Sequence, residues 1–205
     1  MKRHFRRIIA AALCCFILSM TGCFEKDGSD GVIKYDIAYN PGSLDPQTAS
    51  DDSSTLLIAS LYTGLLRLEP DGSLSAGVAE DYTVSDDGLT YRFKLSSYNY
   101  WTDANGFDAV CTAQDFVFGF QRLFDPATRA PRASEYFCIK NSRAINSGAV
   151  SDLSRLGVTA SGDYELTIEL EYPDPNFPML LTEAPSMPCS EEYFISSQGK
   201  SEGQA

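Results

Sequence analysis

The amino-acid sequence predicts a mixed α/β fold built from antiparallel hairpins and short helices. Asp86-Asp87-Gly88 supplies turn residues between two strand-like segments, which is a strong hairpin signal. Apolar residues recur at helical spacing between Thr112 and Phe124. A long alternation of strands and helices, typical of a parallel sheet, is not visible. The hairpins therefore determine the predicted class.

The first predicted elements are a strand and a helix. Residues 32–39 alternate apolar and polar side chains and predict a strand, which is followed by turn residues at 40–42. Ser53 or Ser54 can cap the helix, and Gly64 can end it. The apolar face expected for this helix consists of four residues: Leu56, Leu57, Leu61 and Tyr62.

One further strand and a hairpin follow. Residues 65–68 predict a short strand, and the Pro-Asp-Gly sequence at 70–72 predicts a tight turn. Residues 81–85 and 90–95 then flank the turn at 86–88 and predict an antiparallel hairpin. This hairpin is the clearest β signal in the chain.

The second helix is predicted at 112–124. Thr112 and Asp115 form a capping box at its start, and Asp125-Pro126 ends it. Its expected core-facing residues are Phe116, Val117, Phe120, Leu123 and Phe124. The remaining predicted elements are a hairpin at 158–160 and 164–171 and short helices at 175–182 and 190–195.

Charge and composition exclude several classes of function. The 205-residue chain has a formal net charge of −12, which argues against nucleic acid as a partner. Its one histidine is His4, so the rest of the chain has no residue for Ser-His-Asp or Cys-His catalysis. We expect neither enzymatic activity nor a cofactor or metal. A glycosidase with two opposed carboxylates would be the enzymatic alternative, but no motif pairs two acids.

The N-terminus is typical of an exported lipoprotein. Basic residues precede an apolar run at 8–20, which is too short to span a bilayer as a helix. The run ends in Met20-Thr21-Gly22-Cys23, which resembles a lipobox. We therefore expect residues 1–22 to be a signal peptide and Cys23 to carry a lipid. An ordinary secretory signal or an uncleaved anchor is the alternative.

Three further cysteines follow, at positions 111, 138 and 189, and their spacing matches no zinc pattern. An oxidising compartment permits one disulfide, for which Cys138–Cys189 is the expected pair. Three buried thiols are the alternative.

Seven short phrases occur in a fixed order between about residue 40 and residue 190. They are GSLDP at 42–46, YTGLL at 62–66, DG at 71–72 with GVAE at 77–80, SDDGLTYRFKL at 85–95, WTD at 101–103, TAQDFV at 112–117 and DYELTIEL at 163–170. Together they resemble the oligopeptide- and dipeptide-binding proteins of ABC importers, the family 5 solute-binding proteins. Most of these phrases also have a local structural role, so they indicate the fold more strongly than the site.

The resemblance implies the type II fold of periplasmic binding proteins, with two lobes that close over a cleft and a small inserted domain. Residues 23–61 would form the tether and the start of the first lobe. Residues 62–188 would form the small α/β domain, and 189–205 would return to the first lobe. The second lobe is expected to be absent, which makes the chain a fragment or a truncated product.

The resemblance also implies ligand-binding residues. Family members hold a peptide like an added strand, and the segment concerned corresponds here to Ser50, Asp51 and Asp52. Arg132 stands where the family has a tyrosine that contacts the ligand, and it could pair with a ligand carboxylate. The alternatives are a helix N-terminal role for the two aspartates and a solvated surface position for Arg132.

The expected function is that of a monomeric solute receptor outside the cytoplasm, held to the cell membrane by the lipid on Cys23. It would face the extracellular side or the periplasm, capture oligopeptides and deliver them to ABC permease subunits driven by a separate ATPase. The alternatives are the same fold with a non-peptide solute, such as a nickel chelate, haem or an oligosaccharide, or an inert truncated product.

Overall fold

The computed structural model describes residues 35–102 and 108–198. The chain divides after Asp36, and the elements described below belong to the unit that begins at Ile37. The predicted signal peptide at 1–22 and the predicted lipid site at Cys23 lie outside the described residues. In the described part, no helix is both long and apolar enough to cross a membrane.

The helices and strands of the described residues follow one another as a series of short elements. They are α1 (Asp52–Leu61), β1 (Leu66–Leu68), β2 (Leu74–Ala76), β3 (Ala79–Val84), β4 (Thr90–Leu95), β5 (Tyr100–Thr102), β6 (Asp108–Val110), α2 (Ala113–Phe124), α3 (Ser142–Asn146), β7 (Val158–Ala160), β8 (Glu165–Glu169), α4 (Phe177–Leu180) and α5 (Glu191–Gln198). Single 3₁₀ turns lie at Ala133–Tyr136, Leu153–Arg155 and Ala184–Ser186.

A four-stranded antiparallel sheet forms the centre, in the order β3-β4-β8-β7. β4 alternates buried and exposed side chains, because successive residues of a strand point to opposite faces of the sheet. Its buried residues Tyr91, Phe93 and Leu95 face the core, whereas Arg92 and Lys94 are exposed. The pairs β1-β2 and β5-β6 form two small separate sheets. The hairpins predicted at 81–95 and 158–171 are thus confirmed.

The amphipathic helix α2 packs against this sheet. Phe116, Phe120 and Phe124 are buried on one face, in the register that the sequence predicts. Asp115 closes the capping box by accepting the backbone N–H of Thr112 at 2.7 Å. The core therefore lies between one helix and one face of a sheet, which confirms the mixed α/β class.

The predicted strand at 32–39 is wrong for the residues that the structure describes. Residues 35–39 belong to no strand, and the backbone N–H of Tyr39 donates to Ser53 Oγ at 3.3 Å rather than to a sheet. The alternation of side chains was misleading here, because none of the described strands pairs with residues 35–39.

The faces of α1 also differ from the prediction. Its buried residues are Ser53, Ser54 and Ile58, whereas Leu56 and Leu61 are exposed. The two serines are buried because their hydroxyls have partners; Ser54 Oγ, for example, accepts the backbone N–H of Ser43 at 3.1 Å. The apolar face expected for this helix is therefore not its buried face.

The predicted Cys138–Cys189 disulfide is not formed, because Cys111, Cys138 and Cys189 are all free thiols. The carbonyl of Cys138 accepts a hydrogen bond from the backbone N–H of Glu171, just after β8. The backbone N–H of Cys189 instead donates to the carbonyl of Asp115 in α2. Burial raises the pKa of each thiol, that of Cys138 to about 11, so the thiols stay protonated at neutral pH.

Candidate functional site

A partly buried ion pair holds the Leu-Asp-Pro segment against α2. Arg122 Nη1 donates to Asp45 Oδ1 at 3.0 Å and to Gln47 Oε1 at 2.6 Å, and its Nη2 donates to Asp45 Oδ2. The Gln47 amide then donates to the carbonyl of Met187 at 3.0 Å. Three distant parts of the chain, residues 45–47, α2 and the segment before α5, are thereby joined in one polar network.

The guanidinium of Arg122 is stabilised in this position by its surroundings. Burial alone would lower its pKa, but the hydrogen bonds and the charge of Asp45 outweigh this effect, so the pKa of Arg122 is raised. The guanidinium also lies 4.0 Å from the ring centre of Phe194, which suits a cation–π contact. The Leu-Asp-Pro phrase is therefore an anchoring element that fixes the position of the segment after it.

That segment, which contains the predicted ligand contacts, leads into α1. Asp51 is the N-cap of α1; its carboxylate accepts the backbone N–H of Ser54 at 2.9 Å and the Ser54 hydroxyl at 2.6 Å. It also accepts the backbone N–H of Gly42 at 3.1 Å. Ser50 and Asp52 on either side are exposed. For Asp51 the structure shows the helix N-terminal role that the sequence left as an alternative.

Asp51 offers a test of this arrangement. The hydrogen bonds from Ser54 come first among the causes that lower the pKa of Asp51 below its ordinary value of 3.8. We expect Asp51→Ala to lower the thermal unfolding midpoint at pH 7. Because the folded pKa is lowered, the stabilisation is present above pH 3.8 and is lost as the pH falls through the folded pKa.

The difference in thermal unfolding midpoint between Asp51→Ala and the wild type should therefore become smaller below pH 3.8. Thermal unfolding monitored by circular dichroism measures this difference. Asp52→Ala is the control, because Asp52 shares the first turn of α1 but is exposed, and its side chain accepts no amide of the described residues. Equal effects of the two substitutions at pH 7 would contradict the capping role.

The predicted contact residue Arg132 lies elsewhere on the surface and is half-buried. Its guanidinium forms a two-pronged ion pair with Glu135, with Nη2 to Oε2 at 2.7 Å and Nε to Oε1 at 2.9 Å. A second carboxylate, that of Glu183, lies 3.5 Å from Nη2. The hydrogen bonds to Glu135 come first among the causes that raise the pKa of Arg132. Arg132 is therefore not a free cation, because two carboxylates of the chain already pair with it.

Glu183 connects this ion pair to an open groove, because its side chain also lines that groove. This groove, which we call the α1 groove, has a volume of about 600 Å³. Its walls come from the C-terminal half of α1, from β1 and from the segment 182–187. Thr55 of α1 also lines it, so the groove extends along the helix that begins at Asp52. Neither Ser50 nor Arg132 lines it.

One member of an aromatic pair lines the α1 groove. Tyr62 lines the groove and packs edge-to-face on Trp101, with ring centres 6.1 Å apart. It also lines two smaller depressions of about 110 and 280 Å³. Burial raises the pKa of Tyr62 to about 12, so its hydroxyl remains a neutral donor and acceptor. Sequence reasoning placed Tyr62 on the apolar face of a helix and in the YTGLL phrase, but it did not identify the contact with Trp101, because the two residues are far apart in the chain.

The described residues hold no group of three or more His, Cys, Asp or Glu side chains that could bind a metal ion. The arrangement offers instead an open groove, exposed backbone before α1 and a small number of charged side chains. These are features for non-covalent binding.

Comparison with known proteins identifies relatives over most of the chain. The family described as "Bacterial extracellular solute-binding proteins, family 5 Middle" matches residues 73–203. The oligopeptide-binding protein OppA of Bacillus subtilis is 33% identical over 202 residues, which cover 94% of this chain and 36% of that protein. The probable deoxycholate-binding periplasmic protein YgiS of Escherichia coli is 35% identical over 153 residues, which cover 73% of this chain and 28% of that protein.

A solved structure gives the same result for the fold. The substrate-binding domain of the oligopeptide ABC transporter from Bacillus anthracis superposes with a TM-score of 0.70 at 34% identity. The superposition covers 77% of this chain and 29% of that structure. The chain thus spans about a third of the length of the proteins that it matches.

Proposed function

Because the chain belongs to the bacterial extracellular solute-binding proteins of family 5 and has their fold, we propose that it is part of a peptide receptor of an ABC importer. The family is extracellular, which gives the chain a location outside the cytoplasm. Membership confirms the resemblance seen in the ordered phrases. The ligand and the transport partners are proposals, since the chain spans only about a third of its relatives' length.

The observation that carries the peptide assignment is the unpaired backbone of Ser50. The N–H and C=O of this residue form no hydrogen bond with another described residue, and the residue is exposed. Unpaired backbone groups can hydrogen-bond to the backbone of an extended peptide, which is the strand-addition mode of recognition. Asp51 holds this segment in place through Gly42 and Ser54, so the pairing groups are preorganised.

Attachment and delivery complete the proposal. A lipid on Cys23 would keep the receptor at the membrane surface beside permease subunits, which a separate ATPase would drive. The support is the lipobox-like sequence, together with the description of the Bacillus anthracis relative as the substrate-binding domain of an ABC transporter. The small-domain boundaries at 62–188 likewise stay a prediction.

The binding proposal predicts a specific effect of removing one amide. With protein expressed from its complete coding sequence, calorimetric titration should show binding of alanine tri- to pentapeptides. Ser50→Pro should weaken this binding about tenfold, because proline has no N–H to donate. Ser50→Ala is the matched control, because it removes the side chain and keeps the amide; it should bind as the wild type does.

Two outcomes would contradict the proposal. Equal peptide affinities of the proline variant and the wild type, with unchanged thermal stability, would remove the role of the Ser50 amide. Binding of deoxycholate without binding of any peptide would instead indicate a non-peptide ligand, like the one in the description of YgiS. Titration with deoxycholate is therefore run in parallel.

A further inference from the structure

The α1 groove combines an exposed apolar surface with a carboxylate. Leu61 and Leu68 line it and are 66% and 49% exposed, which is high for leucine side chains next to a core. Ala59 and Met187 add further apolar surface to the lining. Glu183 is the one carboxylate of the lining. An occupant that suits both features has an aliphatic part and a positive charge.

The ion pairs around Arg132 leave Glu183 incompletely neutralised. One guanidinium faces two carboxylates, and its short hydrogen bonds go to Glu135, at 2.7–3.1 Å. The contact with Glu183 is longer, at 3.5 Å, and involves one nitrogen. The cluster therefore has an excess negative charge, and the carboxylate with the weaker partner is the one that lines the groove. Glu135 does not line it.

The other charged residue of the lining is Arg67. It lies on β1, it is exposed, and its one hydrogen bond in the described part goes to Thr63 Oγ1 at 3.4 Å. Water screens a charge in this position strongly. Arg67 and Glu183 belong to different elements, so the groove has a cationic and an anionic wall rather than a uniform charge.

The charge of the whole chain adds to the local effect of Glu183. A formal net charge of −12 attracts cationic ligands over long range and raises their rate of encounter. A lysine or arginine side chain also has the required shape, because its methylene stem lies on apolar surface while its charged end stays near water.

We propose that the α1 groove is a subsite for a basic side chain of the bound peptide, with its stem on Leu61 and Leu68 and its charged end at Glu183. This inference rests on the proposed peptide-binding function and adds a ligand preference to it. Glu183 would act as a specificity-determining residue, because it would distinguish a charged from a neutral side chain of the same length.

The experiment compares three pairs of tripeptides with protein expressed from its complete coding sequence. Each pair tests one of the three positions: one peptide of the pair has lysine there, the other has norleucine, and the remaining two positions are alanine. The two peptides of a pair therefore differ only in the charged end of one side chain. In calorimetric titration, the wild type should prefer lysine about fivefold at one position. Glu183→Gln should abolish this preference while affinity for the norleucine peptide stays unchanged.

Glu80→Gln is the matched control, because it also removes one carboxylate, that of the exposed ion pair with Lys94, but changes neither the groove lining nor the partners of Arg132; it should keep the lysine preference. Raising the ionic strength should reduce the preference in the wild type. Equal binding of lysine and norleucine peptides at all three positions would overturn the subsite and leave the peptide receptor standing. No binding of any tripeptide would overturn both.

Discussion

Replacing Phe120 with alanine should lower the free energy of unfolding by about 3–5 kcal/mol. Its side chain is 1% exposed and lies in the centre of α2, between the sheet and the segment that contains Tyr136. The rings of Phe120 and Tyr136 meet edge-to-face with centres 6.3 Å apart. The substitution removes buried apolar surface and leaves a cavity that the surrounding side chains cannot fill without strain.

Urea unfolding measures this effect, and the fluorescence of the single tryptophan, Trp101, is a suitable signal. Phe118→Ala is the control, since Phe118 lies in the same helix but is only partly buried and packs edge-to-face on Phe194 at 5.8 Å. Phe118→Ala should lower the free energy of unfolding by less than half as much as Phe120→Ala does. Equal losses would contradict the assignment of the core to one face of α2.

The parts of the fold that the sequence predicts well are those that nearby residues determine. The capping box at Thr112 and Asp115 and the turn at 86–88 act within a few residues, and both are present. The faces of α2 follow from helical periodicity because one side of the helix packs on a continuous core. Local geometry and one buried surface suffice in these cases.

α1 shows why the same reasoning fails elsewhere. Its leucines suggested the buried face, but the hydroxyls of Ser53 and Ser54 accept hydrogen bonds from the backbone of Tyr39 and Ser43, which lie 14 and 11 residues before them in the chain. Leu61 is left exposed at the α1 groove. Hydrogen bonds between segments far apart in sequence can thus override apolar spacing, and no local pattern reveals them.

Gly119 is a second feature that the sequence did not identify. A Cβ atom at this position of α2 would lie 2.8 Å from the carbonyl oxygen of Met187, so only glycine allows the backbone of the 187–189 segment to approach the helix. In a helix interior, glycine alone suggests a weakened helix. Its packing role becomes visible only when the segment from the far end of the chain is in place.

In the candidate site, too, the sequence predicts contacts between nearby residues but not contacts between distant segments. The pairing of Arg132 with Glu135, three residues later, is a contact that helical spacing can suggest. The contact with Glu183 and the α1 groove depend on how residues 182–187 pack against α1 and β1. The resemblance indicated where to look for ligand contacts, but the partners of Arg132 could be found only in the folded chain.

The second large effect concerns the ion pair that anchors the Leu-Asp-Pro segment. Asp45→Asn should lower the free energy of unfolding by about 2–4 kcal/mol, because it leaves Arg122 buried without its counter-charge. The side chain of Arg122 is 10% exposed, so water cannot replace the lost carboxylate well. The side chain of Asp45 is 32% exposed, which places the expected loss below that of a fully buried pair.

Thermal and urea unfolding measure this loss, and for a chain of this size each kcal/mol corresponds to roughly 2–4 °C in the midpoint. Glu80→Gln is the control, because it breaks the exposed pair between Glu80 and Lys94 and should cost less than about 1 kcal/mol. The double variant Asp45→Asn with Arg122→Met removes the uncompensated charge. The double variant should therefore lose less free energy of unfolding than the sum of the losses of the two single variants. Simple additivity would show that Asp45 and Arg122 do not stabilise the chain as a pair, and the anchoring role of the Leu-Asp-Pro segment would then have to rest on Gln47 alone.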